Sequence, residues 1–419
     1  MKYAIAAFAA AILISGQLAG AEKIKLSAAY KSAIEKTEFG KIQESQLNQA
    51  DARVEKAGAL VWPSISLKAN YSLQDTTDAG KAAGNSGPSD ASYLVVGVSQ
   101  PLYQGVADIA GIEQAKFQRD SKLLQLKYLK TLLYSSVARG FYNVLSAEGE
   151  KANVKVLIAK NKEIVKELET RRGIGKSRNS EVLMAQSQLA VVQADYLAVL
   201  DRITVSREKF GMLTGLERDV ELDTSENKGI LDLKTLSFYL GKASARSDVL
   251  SSLADLEAAK REVTIQASSW LPLASLTGNV YPYRTGSNKG SYWDAGLNLS
   301  CRIFDGGDTG SRVKEAENKL REAGLNLSRI KRQAESDIRA AFNSLKSLQE
   351  QLKAQDTALK MTEDNYGEQK KDYGFSLVTN LDVLQALNSF QSTKRTFDRT
   401  RMDTLAAYAD LIAVSGIIE

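Results

Sequence analysis

The sequence contains no histidine and a single cysteine, Cys301. That removes every histidine-based general base, catalytic triad and metal cluster, and it leaves no partner for an intramolecular disulfide. Chemistry carried by carboxylates alone is the remaining enzymatic option, and no acidic pair falls in a recognisable pocket motif. The expectation is a protein that is not an enzyme, with no cofactor and no metal site. Net charge is +5, from 55 basic and 50 acidic residues. Basic residues are not interleaved with aromatics in a stripe, so nucleic acid is not an expected partner. Cys301 falls on the apolar side of an alternating segment and reads as a small hydrophobe.

The elements around these residues are more informative. Lys2, the apolar run Ala4 to Ile14 and Ala19-Gly20-Ala21 form the three parts of a secretory leader, so residues 1–21 are expected to be a signal peptide. The position at which a lipoprotein carries its acylated cysteine is Ala21. Past the leader no apolar run reaches about 18 residues, so a membrane-spanning helix is not expected.

The chain reads as two copies of one plan. Val61-Trp62-Pro63-Ser64 corresponds to Trp270-Leu271-Pro272-Leu273, Pro101-Leu102-Tyr103-Gln104-Gly105 to Arg302-Ile303-Phe304-Asp305-Gly306, and Ser180-Glu181-Val182-Leu183 to Leu381-Asp382-Val383-Leu384. The boundaries are a first repeat over 22–215, a connector over 216–237 and a second repeat over 238–419. Ile65, Leu67, Ala69, Tyr71 and Leu73 alternate with small or polar residues, which is the period-two signature of a strand with one wet and one greasy face. Residues 93–100 form its weaker partner. Trp293, Ala295, Leu297, Leu299, Cys301 and Ile303 alternate likewise, and Leu273 to Tyr281 is their partner. The expected β-hairpins are about 62–103 and 271–304.

The stretch 105–172 has no proline and at ~1.5 Å per residue makes a helix of roughly 100 Å. Ile338, Ala341, Leu345, Leu348, Leu352 and Leu359 follow the three/four spacing of a coiled-coil seam. The same spacing runs loosely through 176–213 and 380–415. Four strands with a greasy face cannot close a transmembrane barrel alone, and an open sheet is not viable in a bilayer. Further copies of the chain must complete it: two give eight strands, three give twelve.

The duplication, the Trp-Pro lead-in to each hairpin, the Gln100–Gly105 and Cys301–Gly307 segments that leave it, and Tyr373–Ala386 with its degraded counterpart Gly175–Leu183 together resemble the TolC-type outer-membrane efflux family. The resemblance covers nearly the whole mature chain. It implies a mainly α fold with membrane β: long antiparallel helical hairpins forming a periplasmic α-barrel, plus two β-hairpins contributing to a shared twelve-stranded trimeric β-barrel. It further implies a homotrimer in outer-membrane lipid, a periplasmic adaptor and an inner-membrane transporter as partners, and passive export of small molecules through an efflux duct. The exit duct of a type I protein secretion system is the alternative, and a periplasmic structural coiled coil is a second.

The helix turns near 173–180 and 372–381 would form the periplasmic tip, with Asp382 in a gating ring and Glu181 as its weaker counterpart. An Asp in an ordinary salt bridge is the competing reading. Arg171, Arg172, Lys176 and Arg178 cluster at the first turn. They would dock an acidic partner, pair with Asp382 and Glu181, or lie as a solvated loop. Gly175 occupies the usual turn position in the first half. Ser376 replaces that glycine in the second, with Gly374 two residues earlier, so the second turn's geometry is open.

Overall fold

In a computed structural model the structure describes residues 23–73, 90–223, 233–285 and 291–417. The expected leader, the tips of both hairpins and the middle of the connector lie outside them. Helices α1 (Leu26–Lys36) and α2 (Glu38–Ala59) lead into strands β1 (Ser64–Leu73) and β2 (Asp90–Gln104). Two helices follow, α3 (Ala107–Gly173) and α4 (Asn179–Thr214). After the connector come α5 (Leu236–Leu240) and α6 (Ser247–Ala267), then β3 (Leu273–Arg284) and β4 (Trp293–Ser300). The long helices α7 (Asp308–Gly374) and α8 (Asn380–Ser415) end the series.

The helices α3 and α7 have 67 residues each, and α4 and α8 have 36 each. Their continuity follows from composition, because all five prolines fall in the two strand-bearing stretches. The chain divides into two compact units that each draw on both sequence halves. One holds residues up to Lys36, Val137–Asp232 and Gln355–Leu405; the other holds Thr37–Ser136, Leu233–Ala354 and the C-terminal segment from Ala406.

The first unit is a helical bundle with Val154, Leu157, Val192, Val199 and Leu387 at its centre. The rings of Phe141 and Phe210 meet edge-on at 6.1 Å. A parallel bridge between Ile24 and Leu222 fixes the N-terminal segment to the start of the connector. In the second unit Tyr239, Val249, Leu327, Ala334, Ile338, Leu345 and Leu411 form one apolar cluster. Ile338 and Leu345, from the expected seam, are fully buried there. Beside this cluster Arg246, only 3% exposed, donates to Asp248 at 2.8 and 2.6 Å and to Asp337 at 3.2 Å. It also lies 5.4 Å from the Tyr128 ring centroid.

The second unit also carries the sheet, antiparallel throughout, in the order β1-β2-β3-β4. Its irregularities follow from proline. Where Pro282 interrupts β3, two residues oppose one, and Tyr283 pairs with Leu94 while Val280 pairs with Val96. A second shift follows Pro101 in β2.

Two expectations need correction. β4 ends at Ser300, so Cys301 and Ile303 lie beyond the ladder; the residue that would face Cys301 is Pro272, which has no N–H to give. Helix α5 begins at Leu236, inside the range assigned to the connector.

Candidate membrane face and helical turns

The sheet separates its two faces as the alternation requires. Ile65, Leu67, Ala69 and Tyr71 of β1 stand opposite Val98, Val96, Leu94 and Ser92 of β2. Val98 and Val96 stand in turn opposite Gly278 and Val280 of β3, and Leu276, Gly278 and Val280 opposite Leu297, Ala295 and Trp293 of β4. One continuous apolar surface results, and it is bare: Ile65 is 75% exposed and Leu297 68%. The other face is polar. Asn279 donates to Asp294 at 2.8 Å, the Tyr281 hydroxyl donates to Asp294 at 2.7 Å, and Asn298 donates to the Thr277 hydroxyl at 3.0 Å.

Exposed aromatics flank this surface at both ends. Tyr71, Tyr283, Tyr292 and Trp293 lie toward the hairpin loops, and Trp62, Tyr103, Trp270 and Phe304 toward the helices. A ten-residue strand such as β1, at ~3.3 Å per residue and tilted about 40°, spans roughly 25 Å of thickness. That matches the apolar band of a transmembrane barrel between its aromatic girdles. The sequence reading missed these girdles, although aromatics at both ends of each alternating run were the available signal.

Within the four-stranded sheet, β1 and β4 each pair along one side only. Among the described residues no helix is long and apolar enough to cross a membrane.

Each strand-to-helix junction turns through two successive left-handed residues: Gly105 and Val106 in the first half, Gly306 and Gly307 in the second. Gly105 is required by space as well as by φ. A Cβ there would lie 2.7 Å from the Ser268 carbonyl oxygen and 2.8 Å from the Leu271 Cβ. At the second junction the Asp305 carboxylate accepts from the Gly307 N–H at 3.0 Å and from the Thr309 N–H at 2.9 Å, which steers the chain into α7.

The two helical turns, both in the first unit, are built alike. In the first, Lys176 N–H donates to Arg171 C=O at 2.8 Å and Gly175 N–H to Arg172 C=O at 2.9 Å. In the second, Leu377 N–H donates to Asp372 C=O at 2.9 Å and Ser376 N–H to Tyr373 C=O at 3.0 Å. These are helix C-terminal motifs needing one left-handed residue. Gly175 supplies it at φ +74° and Ser376 at φ +62°. The serine therefore takes up the glycine conformation, and Gly374 is simply the last residue of α7.

Asp382 occupies the third position of α8 and caps it. Its carboxylate accepts from the Thr379 N–H at 2.8 Å and the Thr379 hydroxyl at 2.6 Å, while Asp382 N–H donates back to Thr379 Oγ1 at 3.4 Å. These bonds, the hydroxyl's first, hold its pKa below the ordinary aspartate value. Glu181 accepts from the Ser177 hydroxyl at 2.5 Å and from the Arg178 N–H at 3.2 Å, and its pKa is lowered for the same reason, with the Ser177 bond the largest cause.

Of the basic cluster, Arg171 pairs with Glu167 at 2.9 Å and lies 4.3 Å from the Tyr373 ring centroid, linking the two turns. Burial of that ring raises the Tyr373 pKa, the guanidinium opposing it. Arg172 donates to Asn179 at 2.9 Å. The carboxylates of Asp382 and Glu181 thus bind groups of their own turns, and among the described residues no ion pair joins either to Arg178. Exposed Ile174, Phe375 and Leu377 complete the surface of the two turns.

Known proteins share this fold. Outer membrane protein TolC of Vibrio cholerae is 24% identical over 393 residues, 89% of this chain and 86% of that one. Alkaline protease secretion protein AprF of Pseudomonas aeruginosa is 21% identical over 255 residues, 58% of this chain and 53% of that one. Among solved structures, the Vibrio cholerae outer membrane protein VceC superposes with a TM-score of 0.81 at 18% identity, over 93% of this chain and 96% of that one. The Campylobacter jejuni CmeC outer membrane channel gives 0.78, also at 18% identity, over 93% and 85%. At these identities the superpositions establish the fold. The family model described as outer membrane efflux protein matches residues 41–215 and 242–417, well over half of the chain, and the protein belongs to that family.

Proposed function

We propose that the chain is one protomer of a passive outer-membrane exit duct. Three copies would each supply four strands to a twelve-stranded barrel, and their helices would continue as an α-barrel in the periplasm. A periplasmic adaptor would dock at the helical turns, and an inner-membrane transporter would supply the energy to move small molecules through. The duct itself would do no chemistry. The observation that carries this reading is the sheet: a bare apolar face of membrane height, a polar opposite face and two unpaired edges. In water that face would be a large uncovered patch. In a bilayer the edges must be paired, and other copies of the chain can pair them. A periplasmic coiled coil would leave both features without a role.

The likeness to AprF favours a second reading, the exit duct of a type I secretion system. Both readings use the same duct and differ in the transporter attached. We also propose that residues 22–215 and 238–419 are duplicated repeats joined by 216–237. Asp382 would line a ring at the tip in addition to capping α8, with Glu181 behind it, and Arg178, Gly175, Gly374 and Ser376 would shape the same region.

The test is detergent extraction of outer membranes and the mass of the unheated complex. A detergent-dependent trimer is expected. A monomer soluble without detergent would overturn the reading. Leu297→Arg on the apolar face should prevent assembly, since a cation at mid-bilayer costs about 2–4 kcal/mol in a barrel, whereas Asn298→Arg on the polar face should assemble normally.

A further inference from the structure

The two hairpins share one register. In the first, Ser64 pairs with Ser99, Ile65 with Val98 and Leu67 with Val96; in the second, Leu273 pairs with Ser300, Ala274 with Leu299 and Leu276 with Leu297. Rung for rung, β1 corresponds to β3 and β2 to β4, with Pro63 and Pro272 standing just before β1 and β3. The ladder between the hairpins, β2 on β3, has no such counterpart, because β4 and β1 are the outer strands of the sheet.

The second hairpin bears the marks of a missing ladder. Past its last rung with β1, at Ser99, β2 continues from Gln100 to Gln104 on β3 alone. The corresponding residues, Cys301 to Asp305, pair with no strand among the described residues, and Ile303 and Phe304 are 96% and 87% exposed. Gly105 is closed over by Ser268 and Leu271 from the lead-in to β3. Its counterpart Gly306 has the same left-handed backbone, φ +67° against +60°, yet a Cβ there would meet nothing within 4 Å. The residues that correspond to Ser268 and Leu271 are Ala59 and Trp62, and Trp62 is 71% exposed.

We propose that β4 of one copy pairs with β1 of the next in the register that β2 makes with β3, and that Trp62 of the next copy closes over Gly306. This rests on the ring of copies proposed above and names the contacts that build it. Carrying the inner ladder across sets Cys301 opposite Leu67, Ser300 opposite Lys68, Asn298 opposite Asn70 and Leu297 opposite Tyr71 of the next copy. Apolar residues then face apolar ones and polar face polar, a match that a slip of one residue would reverse. Cys301–Asp305 become the strand extension that β2 already has, and the bare indole gains a covered site.

Cys301 is the only cysteine, so it serves as the probe. Cysteines are placed one at a time at Ile65, Leu67, Ala69 and Tyr71 of the full-length protein. Outer membranes are treated with a short bifunctional thiol reagent, and the chains are separated after heating in denaturant. Leu67→Cys is expected to link best, with two- and three-chain bands about fivefold above those of Ala69→Cys and Tyr71→Cys, because directly facing Cβ atoms lie only about 5 Å apart. Adding Cys301→Ser should abolish the bands. Gly306→Ala is expected to lower the yield of the unheated complex about tenfold, since the new methyl group meets Trp62 only in the ring. Gly307→Ala should stay within about twofold, because its counterpart Val106 already carries a side chain at φ +68°. Complexes of three-chain mass that link best elsewhere on β1, or nowhere, overturn the register and leave the duct reading standing. Equal yields from Gly306→Ala and Gly307→Ala overturn the Trp62 contact. A single-chain mass for the native protein overturns both the proposal and the duct.

Discussion

The equivalent positions Gly175 and Ser376 allow a signed test of the helical turns. Both are left-handed, at φ +74° and +62°, and both stand in the same pair of backbone hydrogen bonds. A side chain in that region costs about 1–2 kcal/mol, while glycine gives back about 0.4–1 kcal/mol through the freedom of the unfolded chain. Ser376 is exposed, so Ser376→Gly loses no packing and should stabilise the second turn by about 0.5–1 kcal/mol. Gly175→Ala has nothing within 4 Å of the new Cβ, so its effect is backbone strain alone, a loss of similar size. Exchange of the bridging amides reads both: Leu377 should be protected roughly two- to fivefold more, and Lys176 two- to fivefold less. The double variant should show both changes independently. If Ser376→Gly lowers protection at Leu377, the serine is not strained and the reasoning fails.

Other outcomes follow from the same geometry. Arg246→Met leaves Asp248 and Asp337 facing an uncharged side chain. Both carboxylates are partly exposed, so the loss should fall below the full buried-pair cost, at about 2–3 kcal/mol, measurable by denaturant unfolding; combining it with Asp337→Asn should recover part of that. Arg171→Ala should lower the Tyr373 ring's order and cost about 0.5–1 kcal/mol at the turns, read from exchange of α7's last residues, with Lys at 171 retaining part. The caps at Asp382 and Glu181 act through carboxylates whose folded pKa values are depressed. Their stabilisation is complete above the ordinary carboxylate range and is lost as pH falls through the depressed values, so the first turns of α8 and α4 should fray only in acid. Thr379→Ala should move that fraying at α8 to higher pH, followed by carboxyl NMR shifts.

Much of this architecture is legible in the residue pattern because proline and glycine punctuate it. Ser64 follows Pro63 and opens β1, and α3 and α7 run without proline between glycine-bearing ends. Ile338 and Leu345 announce the seam through spacing alone. The pattern also held a signal left unread: Thr379-x-x-Asp382 is a capping box, which accounts for Asp382 before any gate is invoked. Other features depend on tertiary context. Ser376 is marked only through its correspondence with Gly175, and nothing marks Val106, since serine and valine disfavour the left-handed region. The end of β4 is set by Pro272, the residue that precedes β3. Arg246 looks like any helix-start cation until Asp337, ninety-one residues away, closes over it.

The open edges of the sheet have a genetic consequence. In the proposed duct a chain whose described residues bring four strands cannot finish its own wall, so entry into the bilayer and association with sister chains would be a single event. A variant whose β1 edge cannot pair would still offer a sound β4 edge, and would be recruited into rings that it then spoils. Co-expressed equally with the native chain in a three-membered ring, it would leave roughly one ring in eight wholly native. Such alleles should behave as dominant, while alleles that destroy the fold outright should be recessive.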